Sequence, residues 1–310
     1  MRVLVTNDDG IDAVGIQRLA VALARDDRFE VLVVAPDRDQ SGAAASLGVS
    51  WHAGVDTHRV ELPDDPSIEA WALDGSPAMC VLAANLGGFG APPELVVSGI
   101  NAGLNTGRAV LHSGTVGAAF TAQNLRMSGV AVSLQTGDPW QWDTAAALAI
   151  EAIGMVLEGP RRSVLNLNVP DRERSAVLGI RWARLAPFGE VRMTLRDGPR
   201  PSNPSADPAR RRLATEMQLA QVSFEPDTDT GLVRAGYATL TTLVAVAEAW
   251  PTDHPTAESA EPTEIQQSIT PGAPLHAAHR IPDASARDGL RRPRTIADTE
   301  VARRSRPSEG

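Results

Sequence analysis

The chain has 310 residues and is 43% hydrophobic, which is enough to bury a substantial core in one large domain or two. Its net charge of −9 argues against stable nucleic-acid binding, because proteins gain affinity for the phosphate backbone from a basic surface. With a single cysteine, Cys80, the chain can form neither an intrachain disulfide nor a Cys-rich zinc site. The sequence shows no signal-peptide pattern and no run of the ~18–20 apolar residues that a membrane span needs, so we expect a cytoplasmic protein without membrane contact.

Apolar runs and helical stripes alternate along the first 170 residues. A buried strand is predicted at 3–6, followed by an amphipathic helix through Ile16, Leu19 and Leu23 and by a second strand at 29–34. The alternation continues with helices around 79–86, 116–120 and 146–157 and strands at 94–97, 130–134 and 164–167. This order predicts a doubly wound α/β fold with a mostly parallel, Rossmann-like sheet.

The pattern changes after about residue 175. Residues 187–215 are rich in Pro and Arg, which is typical of a long loop or a projecting arm, whereas 236–250 is predicted as a strand leading into a helix. Residues 251–310 lack apolar periodicity, and we expect them to form a disordered tail. The predicted organisation is therefore an α/β domain at 1–250 followed by that tail.

Polar loops follow three of the predicted strands, at 7–10, 37–42 and 98–117. Asp8 and Asp9 are adjacent in the first, and two neighbouring carboxylates stay ionised together only with solvent or a cation to offset their repulsion. A solvated turn explains the Asn, Asp and Gly residues of this loop. A hard-cation site explains them as well, since the other two loops add hydroxyl and amide oxygens at the same sheet edge.

The third loop carries a possible anion site. Ser113, Gly114 and Thr115 directly precede an apolar helix, whose N-terminus offers unpaired N–H groups to a phosphate. A flexible loop with a Ser N-cap explains the same residues, and both interpretations can hold at once. His112 adjoins this loop, either as a proton donor to a leaving oxygen or as an ordinary hydrogen-bonded histidine.

Several other phosphate and hydrolase chemistries lack their motifs here. The sequence contains no G-x-x-x-x-G-K-[ST] and no G-x-S-x-G, and the first strand is not followed by G-x-G-x-x-G. Phosphatases of the haloacid dehalogenase type separate their two aspartates by one residue, whereas Asp8 and Asp9 are adjacent.

Five sequence blocks together resemble one family, the SurE survival-protein 5'-nucleotidases. They are "NDDG" at 7–10 with Gly15-Ile16 behind it, "VVAPDRDQSGAAASL" at 33–47, "DGSPAMCV" at 74–81, "VVSGINAGLN" at 96–105 and "SGTVGAA" at 113–119. The blocks keep the family's order and approximate spacing, and the resemblance extends over about residues 1–250.

The resemblance implies a metal-dependent phosphomonoesterase that acts on nucleoside monophosphates through metal-activated water, without a covalent enzyme intermediate. Asp8 and Asp9 would be its catalytic residues and, with Ser41 and Asn101, would hold one divalent cation per subunit, Mg or Mn. The residues that would cradle the phosphate are Asn105, Ser113, Gly114 and Thr115. A homodimer or homotetramer is also implied, assembled partly through an arm at 187–245.

The chain departs from the family at Asp12 and at Arg108, where many members have His and an acidic residue. Arg108 either attracts phosphate or faces solvent. Two other functions stay open at this point: a broad phosphomonoesterase that also accepts 3'-nucleotides or short polyphosphate, and a nucleotide-binding regulatory protein without turnover.

Overall fold

The structure is a computed structural model that describes residues 1–48, 54–189, 191–197, 213–219 and 223–247. These residues form eleven strands and five α-helices. In chain order they are β1 (Arg2–Thr6), α1 (Val14–Ala24), β2 (Glu30–Pro36), β3 (Thr57–Val60), β4 (Glu69–Leu73), α2 (Pro77–Asn85), β5 (Leu95–Ala102), α3 (Gly114–Asn124), β6 (Ser128–Leu134), α4 (Trp142–Glu158), β7 (Val164–Val169), β8 (Ile180–Trp182), β9 (Val191–Asp197), β10 (Leu213–Leu219), α5 (Asp229–Ala235) and β11 (Ala238–Leu243).

Nine of the strands form one sheet, in the order β3-β4-β2-β1-β5-β6-β7-β11-β8. The six central strands, from β4 to β7, are parallel, whereas β3 pairs antiparallel with β4 and β11 pairs antiparallel with β7. Numbered by their order along the chain, the parallel strands run 3-2-1-4-5-6, which is the Rossmann order. The predicted doubly wound, mostly parallel sheet is confirmed.

Helices cover both faces of the sheet because its strands are apolar on both sides. Successive strand residues point to opposite faces, so Val3 and Val5 pack with α1 and α4 while Leu4 packs with α2 and α3. The core under α1 and α4 includes Ile16, Leu19, Leu23, Leu148 and Ile153. The core under α2 and α3 includes Met79, Cys80, Ala84, Ala118 and Ala122.

The predicted apolar stripe of α2 is partly wrong. The helix predicted around 79–86 included Leu86 on its apolar face, but α2 ends at Asn85 and Leu86 is 75% exposed. The helix instead buries a face of small and medium side chains, including Cys80, because it packs against both the sheet and α3. Cys80 is free and buried.

The C-terminal part of the described chain adds to the main sheet and forms a separate hairpin. Strands β9 and β10 pair antiparallel with each other, within and just beyond the region expected to form a loop or an arm. The strand predicted in 236–250 is confirmed as β11, but the helix predicted after it is wrong for residues 244–247, which have no helical structure and where Val246 is 88% exposed. Residues 248–310, and with them the predicted tail, lie outside the described residues.

Among the helices that the structure describes, none combines the length and the apolar character needed to cross a bilayer.

Candidate active site

The candidate site lies where the strand order of the sheet reverses. The chain adds β2 and β4 on one side of β1 and then returns to add β5 on the other, so β1 and β5 flank the switch point. Ligands of doubly wound sheets bind outside the carboxyl ends of the strands at such a point. The loops that follow β1 and β5 carry Asp8, Asp9, Asn105 and Ser113.

Asp8 is buried against the N-terminus of α3, with only 3% of its surface exposed. Its Oδ2 accepts a hydrogen bond from the Gly114 N–H at 3.1 Å, and its Oδ1 accepts one from the Thr115 hydroxyl at 2.5 Å. A Cβ on Gly114 would lie 2.7 Å from the Asp8 Cβ, so only glycine allows this approach. Helix α3 therefore holds a carboxylate at the end that attracts negative charge.

The two neighbouring acids have unequal surroundings. Burial raises the pKa of Asp8, although its hydrogen bonds to Thr115 and Gly114 work in the opposite direction. Burial and then the charge of Asp8 raise the pKa of Asp9 to about 6, and Asp9 Oδ2 accepts a hydrogen bond from the Ala102 N–H at 3.4 Å. A cation between these carboxylates would favour their charged forms and reverse the effect of burial.

The two neutral residues of the predicted metal set lie on segments that contact the acids, Ser41 on the loop after β2 and Asn101 near the end of β5. The Gln40 N–H donates to the Asp8 carbonyl oxygen at 2.7 Å, which fixes the loop of Ser41 beside Asp8. Ser41 is exposed, and its hydroxyl donates to Asp39 Oδ1 at 2.6 Å. Asn101 follows a bulge in β5, and its amide nitrogen donates to the Gly103 carbonyl at 2.7 Å, so the amide oxygen is the atom left for a cation.

The donor atoms of this set fit a hard divalent cation. Asp8, Asp9, Ser41 and Asn101 offer oxygen atoms only, which suit Mg²⁺ or Mn²⁺ better than a soft metal. Across the described ranges there is no group of three or more His, Cys, Asp and Glu side chains arranged to hold a metal. A cation here would therefore depend on two carboxylates supplemented by hydroxyl and amide oxygens.

The predicted phosphate residues cluster at the start of α3, but their polar atoms are already engaged. Ser113 is the N-cap, and its Oγ accepts from the Val116 N–H at 3.1 Å. Gly114 and Thr115 donate to Asp8. The capping interpretation of Ser113 therefore holds, and the structure joins the predicted phosphate residues directly to the predicted metal ligand.

Asn105 connects this cluster to the next two strands. Its amide nitrogen donates to the Ser133 hydroxyl at 2.9 Å and, more weakly, to Thr115 Oγ1 at 3.4 Å. Its backbone is fixed from β7, because the Asn105 N–H donates to Asn168 Oδ1 at 2.8 Å while the Asn166 and Asn168 amides donate to its carbonyl. The predicted phosphate residue Asn105 is thus held in place by both its side chain and its main chain.

Sequence reasoning missed the residues that anchor Asn105. Ser133, Asn166 and Asn168 are fully buried in β6 and β7. Buried polar side chains need hydrogen-bond partners, so two asparagines inside the apolar strand "VLNLNV" were a usable signal for a nearby backbone to bind. Asp229 was missed too; at 0% exposure it accepts from the Gly107 N–H at 2.8 Å and fixes the start of the short 3-10 helix Gly107–His112.

Three residues singled out from the sequence lie on the surface. Arg108 and His112 are exposed on the 3-10 helix that leads into Ser113, and Asp12 is exposed before α1. The solvent-facing interpretation of Arg108 therefore fits the structure.

Comparison with known proteins finds one family model, curated relatives and a solved structure that are similar to this chain. The family model "Survival protein SurE" matches residues 3–189. A protein of Xanthomonas oryzae pv. oryzae named 5'-nucleotidase SurE is 39% identical over 251 residues, which cover 78% of this chain and 89% of the relative. One of the same name from Xanthomonas euvesicatoria is 40% identical with the same coverage. The crystal structure of the SurE protein from Aquifex aeolicus superposes with a TM-score of 0.64 at 27% identity, covering 80% of this chain and 95% of that one.

Proposed function

Because this chain belongs to the SurE family and is a phosphoric monoester hydrolase with nucleotidase function, we propose that it releases phosphate from nucleoside 5'-monophosphates in a reaction that requires a divalent cation. One observation carries the cation dependence: Asp8 and Asp9 stand side by side at the switch point of the sheet, and both pKa values are raised by burial. Such a pair is costly unless a cation accompanies it.

Asp8, Asp9, Ser41 and Asn101 would hold one Mg²⁺ or Mn²⁺ per subunit. When bound, such a cation polarises the phosphoryl group and lowers the pKa of a water molecule, which provides a nucleophile at neutral pH. Asp8 is oriented for this role by Gly114 and Thr115. Asp9 is less buried than Asp8, so its carboxylate can contact a bound substrate.

The chain's own donors would orient the phosphate. The N-terminus of α3 favours an anion, and Ser113, Gly114 and Thr115 lie in its first turn. Asn105 would add its amide group, held by Ser133 and the β7 asparagines. The Gly114 N–H and the Thr115 hydroxyl already donate to Asp8, so they would bind a phosphate only by exchanging that partner, whereas the backbone of Asn105 is already fixed by Asn168.

Two candidate nucleophiles, Ser113 and Cys80, are poorly suited to form a covalent intermediate, which agrees with direct attack by water. Ser113 serves as a helix cap, and the one thiol, Cys80, is fully buried in the core with its pKa raised by burial. Neither is an activated, accessible nucleophile.

We also propose that the protein forms a homodimer or homotetramer through the hairpin of β9 and β10. Leu195 and Leu213 are 68% and 53% exposed on that hairpin, which among the described strands pairs with none of the main sheet. Exposed apolar side chains on a two-stranded hairpin favour burial against another surface.

A substrate panel tests the proposed reaction. Phosphate release from nucleoside 5'- and 3'-monophosphates, short polyphosphate and an aryl phosphate is measured with EDTA and then with added Mg²⁺ or Mn²⁺. We expect hydrolysis to stop with EDTA, to return with the cation, and to favour the 5'-monophosphates. Equal rates across the panel would support a broad phosphomonoesterase instead, and no release with any cation would support a binding protein without turnover.

A further inference from the structure

A cavity of about 440 Å³ opens between the loop after β2 and the start of α2. Six of the residues that line it are Arg38, Gln40, Ala43, Leu47, Asp74 and Ser76. Its volume falls in the ~300–1,000 Å³ range of small-molecule sites. None of these residues belongs to the proposed metal or phosphate set.

The cavity is joined to the candidate active site by the loop that forms its wall. Gln40 and Gly42 line the cavity and flank Ser41, and the Gln40 N–H also binds the Asp8 carbonyl oxygen at 2.7 Å. On the α3 side, a Cβ on Gly117 would lie 2.2 Å from the Ala44 carbonyl oxygen, so this loop packs directly on the first turns of α3. The same loop therefore lines the cavity and carries Ser41, one of the residues proposed to hold the cation.

The far wall is fixed by contacts between the same loop and the segment before α2. The Arg38 guanidinium donates to Asp74 Oδ1 at 2.6 Å, and the Ser76 hydroxyl donates to the Ser46 carbonyl oxygen. Ser76 also caps α2 by accepting from the Met79 N–H. Two sides of the cavity are thus bounded by side chains that are held by hydrogen bonds.

The charges of the lining favour a neutral ligand. Of its described residues, Arg38 is the only cation and Asp74 the only anion, and the two pair with each other. A chain of phosphates would need several cations or N–H groups, whereas a ribose and a base offer neutral donors and acceptors. Ala43 and Leu47 supply apolar surface and Gln40 and Asp74 supply polar groups, whereas the Ser76 hydroxyl is engaged by Ser46 and Met79.

We propose that this cavity receives the nucleoside half of the substrate, while the phosphate is held at the start of α3. The inference rests on the proposed nucleotidase reaction and adds a place for the part of the substrate that is not cleaved. It also predicts a preference for nucleotides over polyphosphate, since the second ligand group is neutral.

A cavity-filling variant tests the proposal. Ala43→Phe places a ring in the cavity, and Ala45→Phe is the matched control, an exposed position on the same loop that does not line the cavity. For each protein, kcat and KM are measured with adenosine 5'-monophosphate and with glycerol phosphate, which has no base and no ribose. Binding of adenosine alone is measured by calorimetry.

We expect Ala43→Phe to lower kcat/KM for adenosine 5'-monophosphate at least tenfold, mainly through KM, and to change kcat/KM for glycerol phosphate less than twofold. Adenosine binding should be lost in this variant and kept in Ala45→Phe. Equal losses on both substrates, or unchanged nucleotide kinetics with unchanged adenosine binding, would overturn the proposal. If Ala43→Phe does not fold, Leu47→Ala should raise KM for the nucleotide severalfold with the same selectivity.

The two proposals fail in different ways. A wild-type protein that hydrolyses no phosphomonoester but binds adenosine in a manner blocked by Ala43→Phe would contradict the proposed reaction and support the nucleoside cavity. Hydrolysis of both substrates without any effect of the cavity variants would leave the reaction intact and remove the cavity from it. Absence of both hydrolysis and adenosine binding would contradict both.

Discussion

On the α3 side of the candidate active site the polar side chains are buried and bonded to one another, whereas on the side of the loop after β2 they are exposed. Asp8, Thr115 and Asn168 are at most 3% exposed, and each has a hydrogen-bond partner from another element. Arg38 and Ser41 are exposed on the opposite side. The two sides of one site are therefore built differently.

The difference indicates which part of the substrate each side handles. Buried polar groups in low-dielectric surroundings act strongly on developing charge, and they are costly to disturb. Exposed loop residues can adapt to a ligand at little cost to the fold. We therefore assign the charged phosphate to the α3 side and the neutral nucleoside to the loop side, and we expect substitutions on the α3 side to reduce turnover the most.

The largest effect is expected at the two acids. Asp8→Asn or Asp9→Asn keeps the shape of the side chain but removes the charge that would bind the cation, so kcat/KM should fall by about 10³-fold or more. The matched control is Asp12→Asn, an exposed acid of the same loop, which should change kcat/KM less than about threefold. Near-normal turnover in Asp8→Asn with an intact circular dichroism spectrum would remove Asp8 from the metal site.

A methyl group at Gly114 tests whether activity depends on the close contact between α3 and Asp8. Gly114→Ala brings a Cβ to 2.7 Å from the Asp8 Cβ, so the carboxylate must shift and kcat should drop about 10–100-fold. Gly154→Ala in α4 is the control, because a Cβ there has no heavy atom within 4 Å. It should leave kcat unchanged and stabilise the helix by up to about 1 kcal/mol. Equal kcat values in the two variants would show that the Asp8 contact is dispensable.

Stability should depend on pH in a way that a cation cancels. The folded protein holds the proton of Asp9 up to about pH 6, while the unfolded chain releases it near its ordinary value of 3.8. The folded state thus binds more protons within that window, so in EDTA the contribution of Asp9 to unfolding free energy falls as pH rises from about 4 to 6.

Urea unfolding between pH 4 and 7.5 measures this dependence. Asp9→Asn should flatten the fall, Asp12→Asn should not, and added Mn²⁺ should restore stability above pH 6 because it competes with protons for the same oxygens. A fall of equal slope in Asp9→Asn and wild type, unaffected by Mn²⁺, would contradict the pairing of these acids around a cation.

The smallest effects are expected on the surface of the 3-10 helix. Arg108→Ala and His112→Ala remove exposed side chains, so each should change kcat/KM for a nucleoside 5'-monophosphate less than about fivefold. Steady-state kinetics at two ionic strengths would separate a general effect of the Arg108 charge from a direct contact. A hundredfold loss in His112→Ala would instead identify this histidine as the proton donor to the leaving oxygen.

The sequence predicted the parallel core because its strands are continuous apolar runs. β1, β2, β5, β6 and β7 are buried on both faces, and that burial leaves a clear pattern in the chain. Strands at the edge of the sheet, such as β3 and β8, have only three or four residues with exposed side chains, and their apolar pattern is too short to recognise. Pairing with a neighbour, which the sequence does not display, is what makes them strands.

The loops that form the candidate site could be predicted from the sequence, but the hydrogen bonds that connect them could not. Loops after parallel strands meet at one edge, so Asp8 and Thr115 could be placed near each other from the fold class alone. The bonds from Asn168 to Asn105, 63 residues apart, depend on the register of β6 and β7 and on the bulge in β5. That register is fixed by the packed sheet, and no local pattern in either segment reports it.

A titration of the EDTA-stripped protein with Mn²⁺, followed by electron paramagnetic resonance, tests the paired carboxylates most directly. We expect one Mn²⁺ site per chain in the wild type and in Asp12→Asn, and at least a hundredfold weaker binding in Asp8→Asn and Asp9→Asn. The same stoichiometry and affinity in all four proteins would contradict the placement of a cation between Asp8 and Asp9, and with it the proposed reaction.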